Sequence, residues 1–300
     1  MLPIAFHPIY KHPLPDGHRF PMLKYELLPQ QLILEGTVSE SEFFSPEIIG
    51  LDKVLAIHEE DYLNDLLTLK LELKKARKIG FPLSSQLVKR ELIIADGTWQ
   101  GANLAFKHGV AFNIAGGTHH AYAGHGEAFC LLNDQAIAAQ SLLDSKLVKK
   151  VLIIDLDVHQ GNGTASIFAN NPSVFTFSIH GKSNYPFKKE VSDLDIALED
   201  NCSDEEFLSL VKLYVPKLLD EYKPDFVFYL SGVDILATDK LGKLGCTIAG
   251  CKSRDEIVFE NLFKRQIPVQ VSMGGGYSPD IKTIIEAHAN TYRVAKSIYT

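Results

Sequence analysis

VLIIDLDVHQGNG, residues 151–163, decides how the rest of the chain is read. Val151–Ile154 are too uniformly apolar for a strand with one face in water, so they read as a strand buried on both faces of a parallel sheet. That strand runs straight into Asp155, Asp157 and His159. Burying a bare charge is costly unless something pairs with it, and a metal ion is the simplest partner. If the extended conformation continues past Ile154, positions 155, 157 and 159 project to one side, because side chains alternate along a strand. Asp157 and His159 could then share one ion. Carboxylate oxygen plus imidazole nitrogen suits zinc, or iron(II), better than calcium or magnesium. A catalytic zinc takes three protein ligands and keeps a position for water. Asp234, ending LSGVD at 230–234, is the natural third. Taken alone, DxDxH also fits a solvated turn after a strand.

Further apolar runs surround this one. Strands are expected at 4–7, 54–57, 110–114, 174–179, 226–230 and 269–272, and helices at about 21–34, 60–78, 84–108, 134–145, 204–221, 253–265 and 279–297. Ser203 and Asp204 suit an N-cap, and Ser278-Pro279 suits N-cap and N1 of the last helix. Strand–helix alternation means βαβ units with right-handed crossovers. In such sheets ligands sit outside the carboxyl ends of the strands.

Polar clusters stand at those ends. AGGTHHA (115–121) brings His119 and His120, SGVD brings Asp234, and MGGGYSP (273–279) brings Tyr277. Adjacent histidines would diverge in regular structure, but after Gly116-Gly117 the backbone turns freely. Two imidazoles could divide the proton transfers of hydrolysis, and a phenol could donate to a developing oxyanion. Individually, the histidines could be surface residues and the glycines a plain turn. No Lys-Ser/Thr pair or GxGxxG spacing supports a phosphate cradle. Together the residues suit hydrolysis of an amide, with no Ser or Cys nucleophile needed. Cys130 reads as packing.

Composition bounds the rest. Three hundred residues, 46% hydrophobic and 22% charged, suit one globular α/β unit with a normal core. A net charge of −7 argues against nucleic-acid binding and mildly favours cationic substrates. No run approaches the roughly 18 apolar residues of a membrane helix, and the start lacks a signal h-region. Four cysteines without CxxC spacing read as free thiols of a reducing compartment, the cytoplasm. The acidic run at 190–206 reads as a solvated loop.

The ordered set GHRFPMLKY (17–25), GGTHHA (116–121), FCLLND (129–134), DLDVHQGNG (155–163), FSIH (177–180), VDILATDKLGKL (233–244) and GGGY (274–277) resembles the zinc-dependent histone deacetylase family of the arginase-like superfamily. It is most similar to the class IV branch and its bacterial relatives. The resemblance implies a three-layer α/β/α sandwich with a central, mostly parallel sheet, as one catalytic domain over 1–300. It implies Asp157, His159 and Asp234 as zinc ligands, and His119 and His120 as the catalytic pair, with Asp155 and Asn162 as their partners. Tyr277 would bind the scissile carbonyl. Phe129 and Tyr185 would wall the acyl-lysine tunnel, with Gly275, His18 and Phe20 near the substrate. Structural potassium would use Asp155, Asp157, His159, Ser178 and Ile179, and a second site Phe168, Asn171 and Val174. Class I members carry His and Asp where this chain has Gln160 and Asn162, so His120 should have a lower pKa than beside an Asp.

The expected reaction is zinc-dependent hydrolysis of an acyl-lysine, or of a related acylated small amine. Long-chain acyl-lysine and acetylpolyamine are alternative substrates. A catalytically silent binder of acyl ligands and a two-metal ureohydrolase are less favoured. Tyr277 and both histidines are present, and only one ligand trio is seen.

Overall fold

The computed structural model describes residues 1–300 and contains eight strands. They are β1 (Ile4–Ala5), β2 (Phe43–Phe44), β3 (Val110–Asn113), β4 (Val151–Asp155), β5 (Val174–Gly181), β6 (Leu194–Leu198), β7 (Phe226–Leu230) and β8 (Val269–Ser272). All pair in parallel, in the order β2-β1-β3-β8-β7-β4-β5-β6. Every residue of β4 and β7 is buried. Alternate side chains feed different cores: Leu152, Ile154, Val227 and Tyr229 join the larger cluster, Val151, Ile153, Phe226 and Phe228 the smaller. A period of two with both faces apolar is what a sheet between two helical layers requires.

The helices are α1 (Lys24–Leu34), α2 (Leu51–Leu55), α3 (Glu60–Leu67), α4 (Leu73–Ile79), α5 (Ser85–His108), α6 (Asp134–Asp144), α7 (Asn162–Phe168), α8 (Asp204–Tyr222), α9 (Ile248–Lys264) and α10 (Ile281–Tyr299). α5, α6 and α8 start at side-chain caps, Ser84, Asn133 and Ser203, each accepting a backbone N–H of the first turn.

Register places the site. Asn113 pairs with Ser272, Ser272 with Leu230, Leu230 with Asp155, and Asp155 with Ser178. One row across the sheet therefore launches all the polar loops from a single edge.

Several expectations are corrected. Residues 54–57 are not a strand: Val54 lies in the five-residue α2, a run too short for periodicity to decide. The expected helix over 60–78 breaks where Leu69 takes φ 57°, leaving α3 and α4. The last helix starts at an Asp280 cap, not at Ser278-Pro279. The acidic run is not simply a loop. It contains the edge strand β6, whose Asp195 accepts from Gln160 (2.8 Å), while neighbouring Asp193 accepts from Thr176 (2.8 Å).

The chain start is tied to its end through Glu42. Its carboxylate accepts the Leu2 N–H (2.7 Å) and the Lys296 ammonium (2.8 Å). Burial raises the cost of its charge, but these bonds and the Ser39 N–H outweigh it and lower its pKa to about 2. A depressed carboxyl pKa stabilises the fold above the unfolded value of 4.5, and that stability is lost as pH falls towards 2. Glu42→Gln should therefore cost about 3 kcal/mol at neutral pH and nearly nothing near pH 2. Chemical denaturation at several pH values checks this.

Candidate active site

β4 ends at Asp155, and the chain then turns instead of staying extended. Asp155 Oδ1 accepts the Asp157 N–H (3.1 Å), and Asp157 Oδ1 accepts the His159 N–H (3.0 Å). These self-capping turns correct the alternation expected for 155, 157 and 159. Asp155 turns to His119 and accepts from its Nδ1 (2.7 Å). Asp157, His159 and Asp234 converge, all buried, with their candidate ligand atoms within 4.8 Å of one another.

The surroundings fit a cation. Two carboxylates and an imidazole are an oxygen–nitrogen donor set for a borderline divalent metal. Two glycines let the backbone close on them: a Cβ at Gly275 would run into the Asp234 carboxylate, and one at Gly232 into that of Asp157. The Gly275 N–H donates to Asp157 Oδ2 (2.8 Å), and the Val158 N–H to Asp234 Oδ1 (3.0 Å). These bonds leave lone pairs that a metal could take.

The tandem histidines sit beside the trio, with ring centroids 4.1 Å apart and His120 5.8 Å from His159. His120 Nδ1 donates to Asn162 Oδ1 (2.6 Å), whose amide nitrogen donates to the Tyr122 hydroxyl (3.0 Å) and so fixes the amide orientation. Gln160 does not reach the histidines; it braces Glu190 and Asp195. The two environments push the imidazoles apart. Burial, then the charges of His119 and His159, hold His120 well below 6.5. Burial acts on His119 as well, but the charge and hydrogen bond of Asp155 overcome it and raise the pKa. Burial, with Asp234 and Asp157 nearby, keeps the Tyr277 phenol protonated.

Phe129, Tyr277, Phe20, Asp157 and His159 line a cavity of about 40 Å³, which continues to Tyr25, Arg90 and Ile94. Tyr185 packs edge-on to His120 at 5.0 Å and lines the wider mouth with Phe129. Phe129 is held at φ 69° by its N–H bond to Ile79 O (2.6 Å). His18 lines neither the central cavity nor the mouth; its Nε2 bonds to Gly80 O (2.9 Å), and its ring packs on Phe81 and on the mouth residue Phe129.

Five supporting residues escaped sequence reasoning. His58, held neutral by burial with a pKa of about 4, accepts the Asn133 N–H (3.0 Å). Asp134 accepts the N–H (2.8 Å) and hydroxyl (2.7 Å) of Thr118, immediately before the histidines. Asp239 accepts the Tyr277 N–H (2.6 Å). Arg254, fully buried on α9, donates to the carbonyls of Leu156, Ser231 and Gly232, and so ties together the loops bearing Asp157 and Asp234.

The fifth is Lys24, 0% exposed, which donates to Gly274 O (3.0 Å) and lies over the Tyr277 ring at 5.5 Å. Burial lowers its pKa to about 8 against the raising pull of Asp234 and Asp157. No carboxylate pairs with it directly, so its charge adds little stability for its desolvation cost. Lys24→Met should keep or raise the melting temperature. It should also lower kcat by about tenfold by loosening the glycine loop behind Tyr277. Thermal unfolding read beside turnover separates the two effects.

The sequence pattern of the histone deacetylase domain matches residues 18–292. This chain belongs to the histone deacetylase family. It is 40% identical over 297 residues to an uncharacterized protein of Picosynechococcus sp., covering 99% of both chains. It is 29% identical to histone deacetylase 2 of Arabidopsis thaliana, over 89% of this chain and 72% of that one. It is 30% identical to the acetoin utilization protein AcuC of Staphylococcus aureus, over 78% of this chain and 65% of that one. The fold is that of solved deacetylase homologues. The HDAC homologue of Aquifex aeolicus superposes with a TM-score of 0.84 at 24% identity, covering 98% of this chain and 84% of that one. The expected parallel α/β architecture is therefore found, and the chain is a deacetylase-type amide hydrolase. No helix is long and apolar enough to cross a membrane.

Proposed function

We propose that this deacetylase-family hydrolase removes a short acyl group from lysine by metal-assisted attack of water, within one catalytic domain spanning the chain. The observation that carries the reading is the buried Asp157/His159/Asp234 trio, two of whose members, Asp157 and His159, line one cavity with His120, the histidine bonded to Asn162. Asp157, His159 and Asp234 would hold a zinc or iron(II) ion, which would supply Lewis acidity and lower the pKa of water.

The remaining work falls to the chain's own residues. Phe129 and Tyr185 hold the apolar lysine stem and exclude water. The Tyr277 hydroxyl donates to the carbonyl oxygen as it gains charge. Neutral His120 takes the proton of the attacking water and returns it to the departing amine. His119, kept protonated by Asp155, offsets the negative charge that develops between them. In the same reading Asp155 and Ser178, which pair in register, would help hold a monovalent cation, and Phe168, Asn171 and Val174 would hold a second.

The 40 Å³ cavity favours acetyl over long acyl chains, since one water already needs about 10–15 Å³. Only one trio is present, which favours a one-metal enzyme over a two-metal ureohydrolase. Equilibrium dialysis tests this reading. One divalent ion per chain is expected, lost in Asp234→Asn together with peptide deacetylation. Two ions per chain, or deacetylation that survives complete metal loss, would overturn it.

A further inference from the structure

The mouth of the site carries a charge opposite to that of the molecule. The chain bears a net −7, yet the mouth, a cavity of about 460 Å³, is lined by Arg19, Lys78, Lys240 and Lys243 and by no carboxylate. All four cations are exposed. Lys78 is paired with Glu127 (2.9 Å), and Lys243 only loosely with Asp200 (4.0 Å). Arg19 lies over the Phe129 ring, 5.0 Å from its centroid, and neither it nor Lys240 has an acidic partner within salt-bridge distance. Glu127, which accepts from the tunnel-wall Tyr185, is also engaged by Lys78 and His125.

Such a rim focuses a positive field on whatever approaches the tunnel, whatever the sign of the whole protein. It reverses the mild preference for cationic substrates that net charge suggested. An apolar ledge adjoins it: Phe187 is 89% exposed beside Tyr185, their ring centroids 6.3 Å apart.

We propose that this mouth selects acyl-lysine set in an acidic peptide segment, with Arg19 and Lys240 receiving carboxylates that flank the modified residue. The inference rests on the acyl-lysine reading of the site. An acetylated polyamine, whose remaining amines are cationic, meets like charge at every lining cation and is disfavoured.

The test uses the full, metal-loaded chain and three substrates: acetyl-lysine flanked by Asp and Glu, acetyl-lysine flanked by Lys and Arg, and acetylspermidine. At low ionic strength KM for the acidic peptide should be about tenfold below that for the basic one, with the gap closing as salt rises. In Arg19→Glu/Lys240→Glu the KM ratio should invert. That ratio is taken within one preparation, so it does not depend on how much of the variant is folded. Equal KM values, a basic preference, efficient acetylspermidine turnover or a ratio unmoved by the double substitution would overturn the rim inference alone. Turnover of neither peptide would overturn the acyl-lysine reading and this inference with it.

Discussion

Replacing His120 with glutamine lowers kcat by about 10²- to 10⁴-fold, the usual contribution of a positioned general base. The position supports so large an effect. His120 is the histidine of the pair that lines both the tight cavity and the mouth. Its Nδ1 is committed to Asn162 (2.6 Å), which leaves Nε2 as the free base. Burial and two neighbouring imidazoles keep it neutral where a surface histidine would begin to charge. The pH profile follows from the signs. kcat/KM falls on the acid side as His120 takes up a proton, at an apparent pKa below 6.5. It falls on the alkaline side as His119 loses its proton, above 6.5. Asn162→Asp places a negative charge against His120 and should move the acid limb upward. A His120→Gln variant with unchanged kcat, or an acid limb that Asn162→Asp leaves in place, would remove His120 from the proton path.

The second large effect lies away from the cavity. Arg254→Leu should destabilise the fold by about 3–5 kcal/mol, because the change strips one member from a buried ion pair. The guanidinium pairs with Asp255 (2.9 Å) and satisfies three loop carbonyls. Asp255 in turn accepts from Tyr229 and Thr291 (2.7 Å), so the loss reaches β7 and α10. Leu156 and Gly232 neighbour the Asp157 and Asp234 positions, so divalent affinity should drop in whatever fraction stays folded. Denaturant unfolding with metal titration measures both. Arg254→Lys is the companion variant. It keeps one charge and part of the bonding, and should recover some stability but not the full three-carbonyl clasp. Wild-type stability in Arg254→Leu would show that packing alone holds these loops.

What the sequence displayed and what it hid divide along physical lines. β4 and β7 were legible because strands buried on both faces are apolar almost throughout, and a polar residue that ends such a run, as Asp155 does, stands out. The trio and the histidines were legible because they are unusual residue types at strand ends. Arg254, Lys24 and His58 carried no such mark. A cation in the middle of α9 or at the start of α1 looks like a solvent-facing residue until packing shows what surrounds it. β2 was missed because two residues, Phe43 and Phe44, make no run, β6 because an edge strand need not be apolar throughout, and α7 because Asn162-Gly163 reads as a loop. The charge of the mouth was not legible for a related reason. Net charge sums the whole surface, whereas Arg19, Lys78, Lys240 and Lys243 come from three distant segments and meet only in the fold.

The most direct test of metal-assisted deacylation is single-turnover release of acetate from an acetyl-lysine peptide, run on one preparation with its metal, after chelation and after zinc is restored. The account predicts acetate release in the first state, loss of at least about 10²-fold in the second and recovery in the third, with a long-chain acyl peptide slower throughout. Equal rates with and without metal, or no acetate in any state, would contradict it.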